Sequence, residues 1–287
     1  DEMEAAVRNR VTLAVCDLEN IRTLQQTCAS TALPVNVHLK VDTGMGRIGV
    51  PVEKAVEMSK FIEQDCPLLN LEGIFTHLPV SDTPDNGYTK DQVKRFSAIV
   101  DNIQTAIGRR LSLVHCANSG AVLSNSDSWL DMVRPGIMIY GFYPGSIPAQ
   151  PVDLRPGLSF LSRVSFIKHV AKGTPIGYGH TWYAPEDCVI ATFPAGYSDG
   201  FNRLFSNNGR VLINSCSYPV VGRVCMDQSM VNLGVSTDVK VGDEVILIGR
   251  SGQQEITAYE WAEKLWTITY EVTCQINSRV QRYFDPY

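Results

Sequence analysis

No stretch of the sequence reaches the roughly eighteen apolar residues that a membrane-spanning helix needs, and the first residues show no signal-peptide pattern. The eight cysteines contain no C-x-x-C pair and no His-rich neighbourhood. That excludes a zinc site of the usual spacing and reads several of the cysteines as small core residues in a reducing, cytoplasmic setting. The dinucleotide fingerprint, the phosphate-binding P-loop and the nucleophile elbow are missing as well. Charge of one sign is not in excess: 25 Lys and Arg against 30 Asp and Glu leave −5, which gives no general pull toward nucleic acid or an anionic membrane. Lysine is scarce, at nine residues (40, 54, 60, 90, 94, 168, 172, 240 and 264).

What is present is 287 residues, 44% hydrophobic, enough for a sizeable core and for two domains rather than one. Up to about residue 150, apolar strand-like runs (11–16, the run into Lys40, 71–77, 112–116 and 133–140) alternate with helix-like segments (17–30, 51–64, 90–107 and 119–123). Asp17 suits a helix cap and Pro51 a helix start. This alternation predicts parallel βαβ units, and five of them make part of an eight-stranded barrel, which takes about 30 residues per unit. After residue 151 the texture becomes short β-rich runs (164–170, 188–193, 211–213, 218–224, 228–231 and 244–248) between Gly, Pro, Asn and Asp turns, with one helix at 258–265. Pro144, Gly145, Pro148, Pro151 and Pro156 mark a stiff connection.

The stretch His38-Leu39-Lys40-Val41-Asp42-Thr43-Gly44-Met45-Gly46-Arg47 runs from a buried strand into a glycine-rich turn. By spacing alone it suits a tight turn with a surface Arg as well as it suits a site. Thr76-His77, His115-Cys116-Ala117-Asn118-Ser119 and Val133-Arg134-Pro135-Gly136-Ile137 end the following units in polar or Gly-rich residues. Each alone is weak, and capping alone would explain Ser119. Four successive units with such ends favour a site at one barrel mouth. The β-rich half adds Gly177-Tyr178-Gly179-His180, Gly196-Tyr197-Ser198-Asp199-Gly200 and Cys225-Met226-Asp227-Gln228, where a Tyr phenol is a candidate general acid or base.

Taken together, HLKVDTGMGRIG (38–49), GIFTHL (73–78), HCANS (115–119), VRPGI (133–137), IGYGHTW (176–182), PAGYSDG (194–200), GRVCMDQ (222–228) and TITYEV (267–272) resemble the alanine racemase family. The resemblance implies α/β plus all-β architecture: a (β/α)8 TIM-type barrel, its portion here being residues 1–150, followed by a C-terminal β domain, residues 151–287. It implies a pyridoxal 5'-phosphate isomerase that interconverts L- and D-alanine by a two-base (Lys/Tyr) mechanism, for D-alanine supply to peptidoglycan. Its working form would be a head-to-tail homodimer that shares its active sites, with serine as the alternative substrate.

Residue by residue, the resemblance implies that Tyr178 is the catalytic Tyr supplied across the dimer and that His77 hydrogen-bonds it. Arg134 would face the cofactor's pyridine nitrogen and keep it unprotonated. Ser119, Gly136, Ile137 and Tyr270 would hold the phosphate, and His115 would sit behind the cofactor contacts. Arg47 would meet the cofactor and the substrate carboxylate, beside a Lys40 that is open to carbamylation. Met226 and Asp227 would border the substrate carboxylate, and Tyr197 the entry region. The family's cofactor-bearing lysine lies in a word resembling V-V-K-A-N-A-Y-G-H-G on the first barrel strand, and no such word occurs here. The expectation is a chain that lacks the first barrel strands and that lysine, and that is inactive alone, as a piece of a complete enzyme or as a remnant.

Overall fold

The computed structural model describes residues 2–83, 87–145 and 152–284. The chain divides into two compact units, Asp1–Arg155 and Pro156–Tyr287. Pro148, Pro151 and the expected boundary at 150/151 lie outside the described residues.

In the first unit, α1 (Glu2–Arg8) precedes β1 (Leu13–Val15), α2 (Leu18–Thr31), β2 (Val35–Asp42) and the short β3 (Val50–Pro51). Then come α3 (Ala55–Asp65), β4 (Leu69–Phe75), α4 (Tyr88–Ile107), β5 (Leu113–His115) and α5 (Ser119–Ser124). The strands form a parallel sheet in the order β1-β2-β4-β5, with β3 beside β2. Apart from the short β3, each strand lies next to the one before it in the chain, the progression of a singly wound barrel. Asp17 caps α2 as its position suggests, accepting from the Asn20 amide at 2.7 Å. Pro51 opens a 3-10 turn at Val52–Lys54 that precedes α3, so the helix proper starts later than expected.

Strand alternation sorts β2 into two faces. Val35, Val37, Leu39 and Val41 enter the core with Ile21, Leu24, Ile62, Phe96 and Ile103 of the helices. Asn36, His38, Lys40 and Asp42 take the opposite face. The β2–β4 register slips between Val37↔Leu71 and His38↔Gly73, which leaves Glu72 as a bulged residue. Beyond the slip, Lys40, Phe75 and His115 stand in one row across β2, β4 and β5.

The strand expected at 133–140 is overturned. Arg134 makes a single bridge to Asn118, and Ile137–Tyr140 is a 3-10 turn closed by Gly141 at φ 84°. Pro135 has no N–H to give a ladder, and Gly136 at φ −105°, ψ −95° leaves strand geometry.

The second unit is antiparallel. Its strands are β6 Phe160–Arg163, β7 Phe166–Val170, β8 Pro175–Ile176, β9 Trp182–Tyr183 and β10 Cys188–Phe193, then β11 Arg210–Ile213, β12 Cys216–Pro219, β13 Ser229–Asn232, β14 Glu244–Ser251 and β15 Gln254–Ile256. One sheet runs β13-β10-β7, another β12-β11-β14-β15 with β6 on β14, and β8 pairs β9. An aromatic cluster of Phe160, Phe193, Phe201, Phe205 and Trp261 fills one end of the core. The run expected at 218–224 ends as a strand at Pro219, with Val220 bridged singly to Val231. The expected helix is α6 (Ala258–Leu265), and it is not alone: α7 (Thr269–Gln275) packs on it. Its Thr, Tyr and Val content reads as strand-forming, but burial of Thr269 and Val272, three apart on one helical face, decides the conformation.

Candidate active site

The glycine turn after β2 is built by Asp42. One carboxylate accepts from the amides of Gly44 at 3.0 Å, Met45 at 2.9 Å and Gly46 at 2.9 Å. Burial raises its pKa, yet these amides together with Lys40 bring it below the ordinary carboxylate range. Gly44, at φ 141°, and Gly46, at φ 70°, take backbone conformations that side chains resist. The turn presents Arg47 as an exposed side chain.

Lys40 is the one buried lysine among the described residues. Its Nζ donates to the Val41 carbonyl at 2.8 Å and lies 5.9 Å above the Phe75 ring. Burial pushes its pKa down, and the Arg134 and Arg47 charges push the same way against Asp42. Phe75 also lies 5.3 Å below the Arg134 guanidinium and stacks on His115 at 4.9 Å. This aromatic floor under two cations was not visible as a site feature in the sequence, where Phe75 is one more apolar strand residue.

Arg134 is held by four acceptors of the first unit. Its Nη1 donates to His115 Nδ1 at 2.7 Å, and its Nη2 donates to the Thr76 carbonyl at 2.8 Å, the Cys116 carbonyl at 3.2 Å and His77 Nδ1 at 3.4 Å. Its Nε–H makes no hydrogen bond among the described residues. Burial first, then the charge of Arg134, holds His115 down to about 3, and the same two causes with Arg47 and Lys40 hold His77 down to about 4. Both imidazoles are neutral at pH 7. The His77 carbonyl and the Thr43 hydroxyl are tied to α4 by the buried Gln92 Nε2, at 2.9 Å and 2.8 Å.

The cap of α5 is Asn118 and not Ser119. Asn118 Oδ1 accepts from the Ala121 amide at 3.1 Å and from Ser81 Oγ at 2.7 Å, while its Nδ2 donates to the Leu78 carbonyl at 2.9 Å. Ser119 is therefore spared capping. Its buried Oγ accepts from the Gly136 amide at 2.8 Å, which leaves the Ser119 O–H as the donor on offer. A Cβ built on Gly136 would meet only that oxygen, at 3.8 Å, so the approach to Ser119 is open. Ile137 opens the turn that follows.

In the second unit, Tyr178, Tyr197, Met226 and Asp227 line one cavity of about 360 Å³, together with Arg203, Arg223, Val224, Cys225 and Gln228. The 196–200 and 225–228 loops are laced together: the Tyr197 amide donates to the Cys225 carbonyl at 3.1 Å and the Ser198 amide to the Met226 carbonyl at 2.9 Å. Gly196 is required there, since a Cβ would fall 2.3 Å from the Cys225 carbonyl oxygen. Tyr178 stands between Gly177 at φ 75° and Gly179 at φ 71° and is 73% exposed. Tyr270, on α7, does not line this cavity. Arg203 and Arg223 escaped the sequence reading, because an Arg in a turn-rich segment carries no signal of its own.

The residues present therefore suit a phosphorylated aromatic ring: a hydroxyl donor at an open glycine, and an aromatic-backed guanidinium with one N–H to give.

Two family models match the chain, the alanine racemase N-terminal domain over residues 1–144 and the alanine racemase C-terminal domain over residues 158–284. An alanine racemase of Cutibacterium acnes is 43% identical over 284 residues, covering 99% of this chain and 75% of that protein. One of Chlorobaculum tepidum is 45% identical over 276 residues, covering 96% of this chain and 70% of that protein. Among solved structures, an alanine racemase of Clostridium difficile 630 superposes with a TM-score of 0.90 at 38% identity, covering 97% of this chain and 72% of that one. The N-terminal match starts at residue 1, so these alignments lend no support to the expected loss of the cofactor-bearing lysine or to inactivity of the chain.

Proposed function

Because the chain belongs to the alanine racemase family, we propose that it interconverts L- and D-alanine, with pyridoxal 5'-phosphate held by its first unit. Alanine is favoured over serine by the names its relatives carry. When bound, the cofactor withdraws electrons from the substrate Cα and makes its proton removable. The remaining work falls to the chain's own side chains. Ser119 gives its O–H to the phosphate, with the backbone at Gly136 and Ile137 and the Tyr270 phenol around it. Arg134 offers Nε–H to the ring nitrogen. A guanidinium has no lone pair to accept with and does not give up its proton, so the ring nitrogen stays unprotonated.

The observation that carries this reading is the anchoring of Arg134: both Nη atoms are spent on protein acceptors while Nε–H remains.

Tyr178 moves the proton on one face of Cα, with His77 as the neutral hydrogen-bonding neighbour of the phenol, and inversion needs a second base on the opposite face, the role the resemblance gives to a lysine. Tyr178 and His77 come together in a head-to-tail homodimer, where Tyr178 of one copy serves the first unit of the other. The exposure of Tyr178 and of the nearly naked Trp266, at 94%, supports this. Arg47 and the Met226-Asp227 loop receive the substrate carboxylate, and Tyr197 borders its entry. Lys40, an amine with a lowered pKa beside two arginines, can react as its free base with carbon dioxide. The resulting carbamate is an anion facing Arg47. Eight free thiols suit a reducing cytoplasm.

Tyr178→Phe is expected to slow racemisation, followed by polarimetry, about 10²–10⁴-fold with cofactor binding retained. Near-normal turnover would overturn the role given to Tyr178. No lysine of this chain is assigned to carry the cofactor covalently: Lys40 is tied to Val41, Lys264 is half-buried and the other seven are exposed. Borohydride reduction at stoichiometric cofactor, followed by peptide mass mapping, should leave these nine lysines unmodified. A pyridoxyl group on any of them refutes that assignment.

A further inference from the structure

Arg134 is the inner end of a hydrogen-bond chain that runs away from the cofactor position. It gives Nη1–H to His115 Nδ1 at 2.7 Å. His115 Nε2 lies 2.8 Å from His38 Nδ1, and His38 Nε2 lies 3.2 Å from Glu72 Oε2. Glu72 also accepts from Asn36 Nδ2 at 2.7 Å and from Thr12 Oγ1 at 3.4 Å, and Asn70 Nδ2 steadies Asn36 at 2.9 Å.

The two ends dictate the direction of the whole chain. A guanidinium can only donate, so His115 Nδ1 must carry a lone pair. A neutral His115 then bears its proton on Nε2 and gives it to His38 Nδ1. His38 in turn bears its proton on Nε2 and gives it to Glu72, a carboxylate that can only accept. Reversing either ring would set two donors face to face at Arg134, or two acceptors at Glu72. The backbone is shaped for this arrangement. The bulge in β4 places Glu72 below His38. Gly73 makes room for the imidazole, since a Cβ there would fall 2.9 Å from His38 Nε2 and 2.4 Å from the Leu113 carbonyl oxygen.

We propose that His115, His38 and Glu72 form a one-way hydrogen-bond chain that holds Arg134 as a fixed donor, with Glu72 the positioning residue at its far end. The purpose of the chain rests on the proposed function, in which Arg134 faces the cofactor's ring nitrogen. Its existence does not. An anion at the far end polarises each ring in turn and strengthens His115 Nδ1 as the acceptor for Arg134.

The test reads both parts. In the cofactor-free protein at pH 7, ¹⁵N spectra of the histidines should show His115 and His38 neutral and protonated on Nε2. Either ring protonated on Nδ1, or doubly protonated, overturns the chain whatever the protein's activity. In Glu72→Gln the amide oxygen still accepts from His38, but the charge is gone and the amide NH2 takes the place of the oxygen that accepted from Asn36. The His115 Nδ1 resonance should move toward that of a weaker acceptor, and kcat should fall about tenfold with KM little changed, the scale of loss common when the outer partner of a site residue is removed. A folded Glu72→Gln protein with an unmoved resonance and unchanged kcat reduces Glu72 to a structural residue and sinks the proposal. A moved resonance in a protein that does not racemise alanine keeps the chain and discards the proposed function.

Discussion

At the scale of single residues, charge is arranged so that histidines stay neutral. His77 and His115 sit under the field of Arg134, half-buried and buried, with pKa values of about 4 and about 3 in place of the ordinary 6.5. In the unfolded chain both protonate near 6.5, so between pH 6.5 and 4 the unfolded state binds more protons than the folded one. Stability contributed by these rings is complete above pH 6.5 and is lost as pH falls toward 4 for His77 and toward 3 for His115. The urea midpoint should therefore fall from pH 7 to pH 4.5, and His77→Gln should flatten that slope. A midpoint that rises on acidification, or an unchanged slope in the variant, contradicts this account. The polar residues at strand ends were legible in the sequence as chemistry-bearing types. Their protonation states were not, because those depend on which cation packs against which ring.

At the scale of elements, two local devices position the site. One is the cap of α5, where Asn118 also ties the Leu78–Ser81 segment and frees Ser119 to meet Gly136. Asn118→Ala should cost about 2 kcal/mol in urea unfolding, a cap together with the buried bonds it shares. Asn118→Ser, which keeps a capping oxygen and loses the donor to Leu78, should cost less. Equal losses in the two variants would show that capping contributes nothing here. The other device is the bulge at Glu72. The apolar spacing Leu69, Leu71, Ile74 carries its trace, since the core-facing phase slips by one residue. That slip is readable in hindsight, yet an irregular apolar run does not say which side chain it re-aims. The β-domain turns were placed well by their glycines. The strand expected at 133–140 failed because Pro135 and Gly136 outweigh the apolar residues around them.

At the scale of the whole molecule, each unit has its own core and its own group of site residues. In a head-to-tail dimer, a Tyr178→Phe copy and an Arg134→Glu copy each spoil a different half of every site. Mixing the two inactive proteins under subunit exchange should restore about a quarter of wild-type activity, because half of the dimers are hybrids with one intact site each. Absence of any recovery once hybrids are verified by mass would rule out sites shared across copies. The sequence alone determined the family, the alternation of strand and helix, the change to β structure and the words that hold the candidate site residues. These follow from residue type and spacing, which local propensity and periodicity express directly. Only the tertiary structure decided that Phe75 underlies two cations, that Asn118 and not Ser119 caps, and that Glu72 anchors Arg134 through two histidines. Such pairings join residues up to 77 positions apart, as His38 and His115 are. They arise from strand register and one bulge, and no local pattern in the chain encodes distance across a sheet.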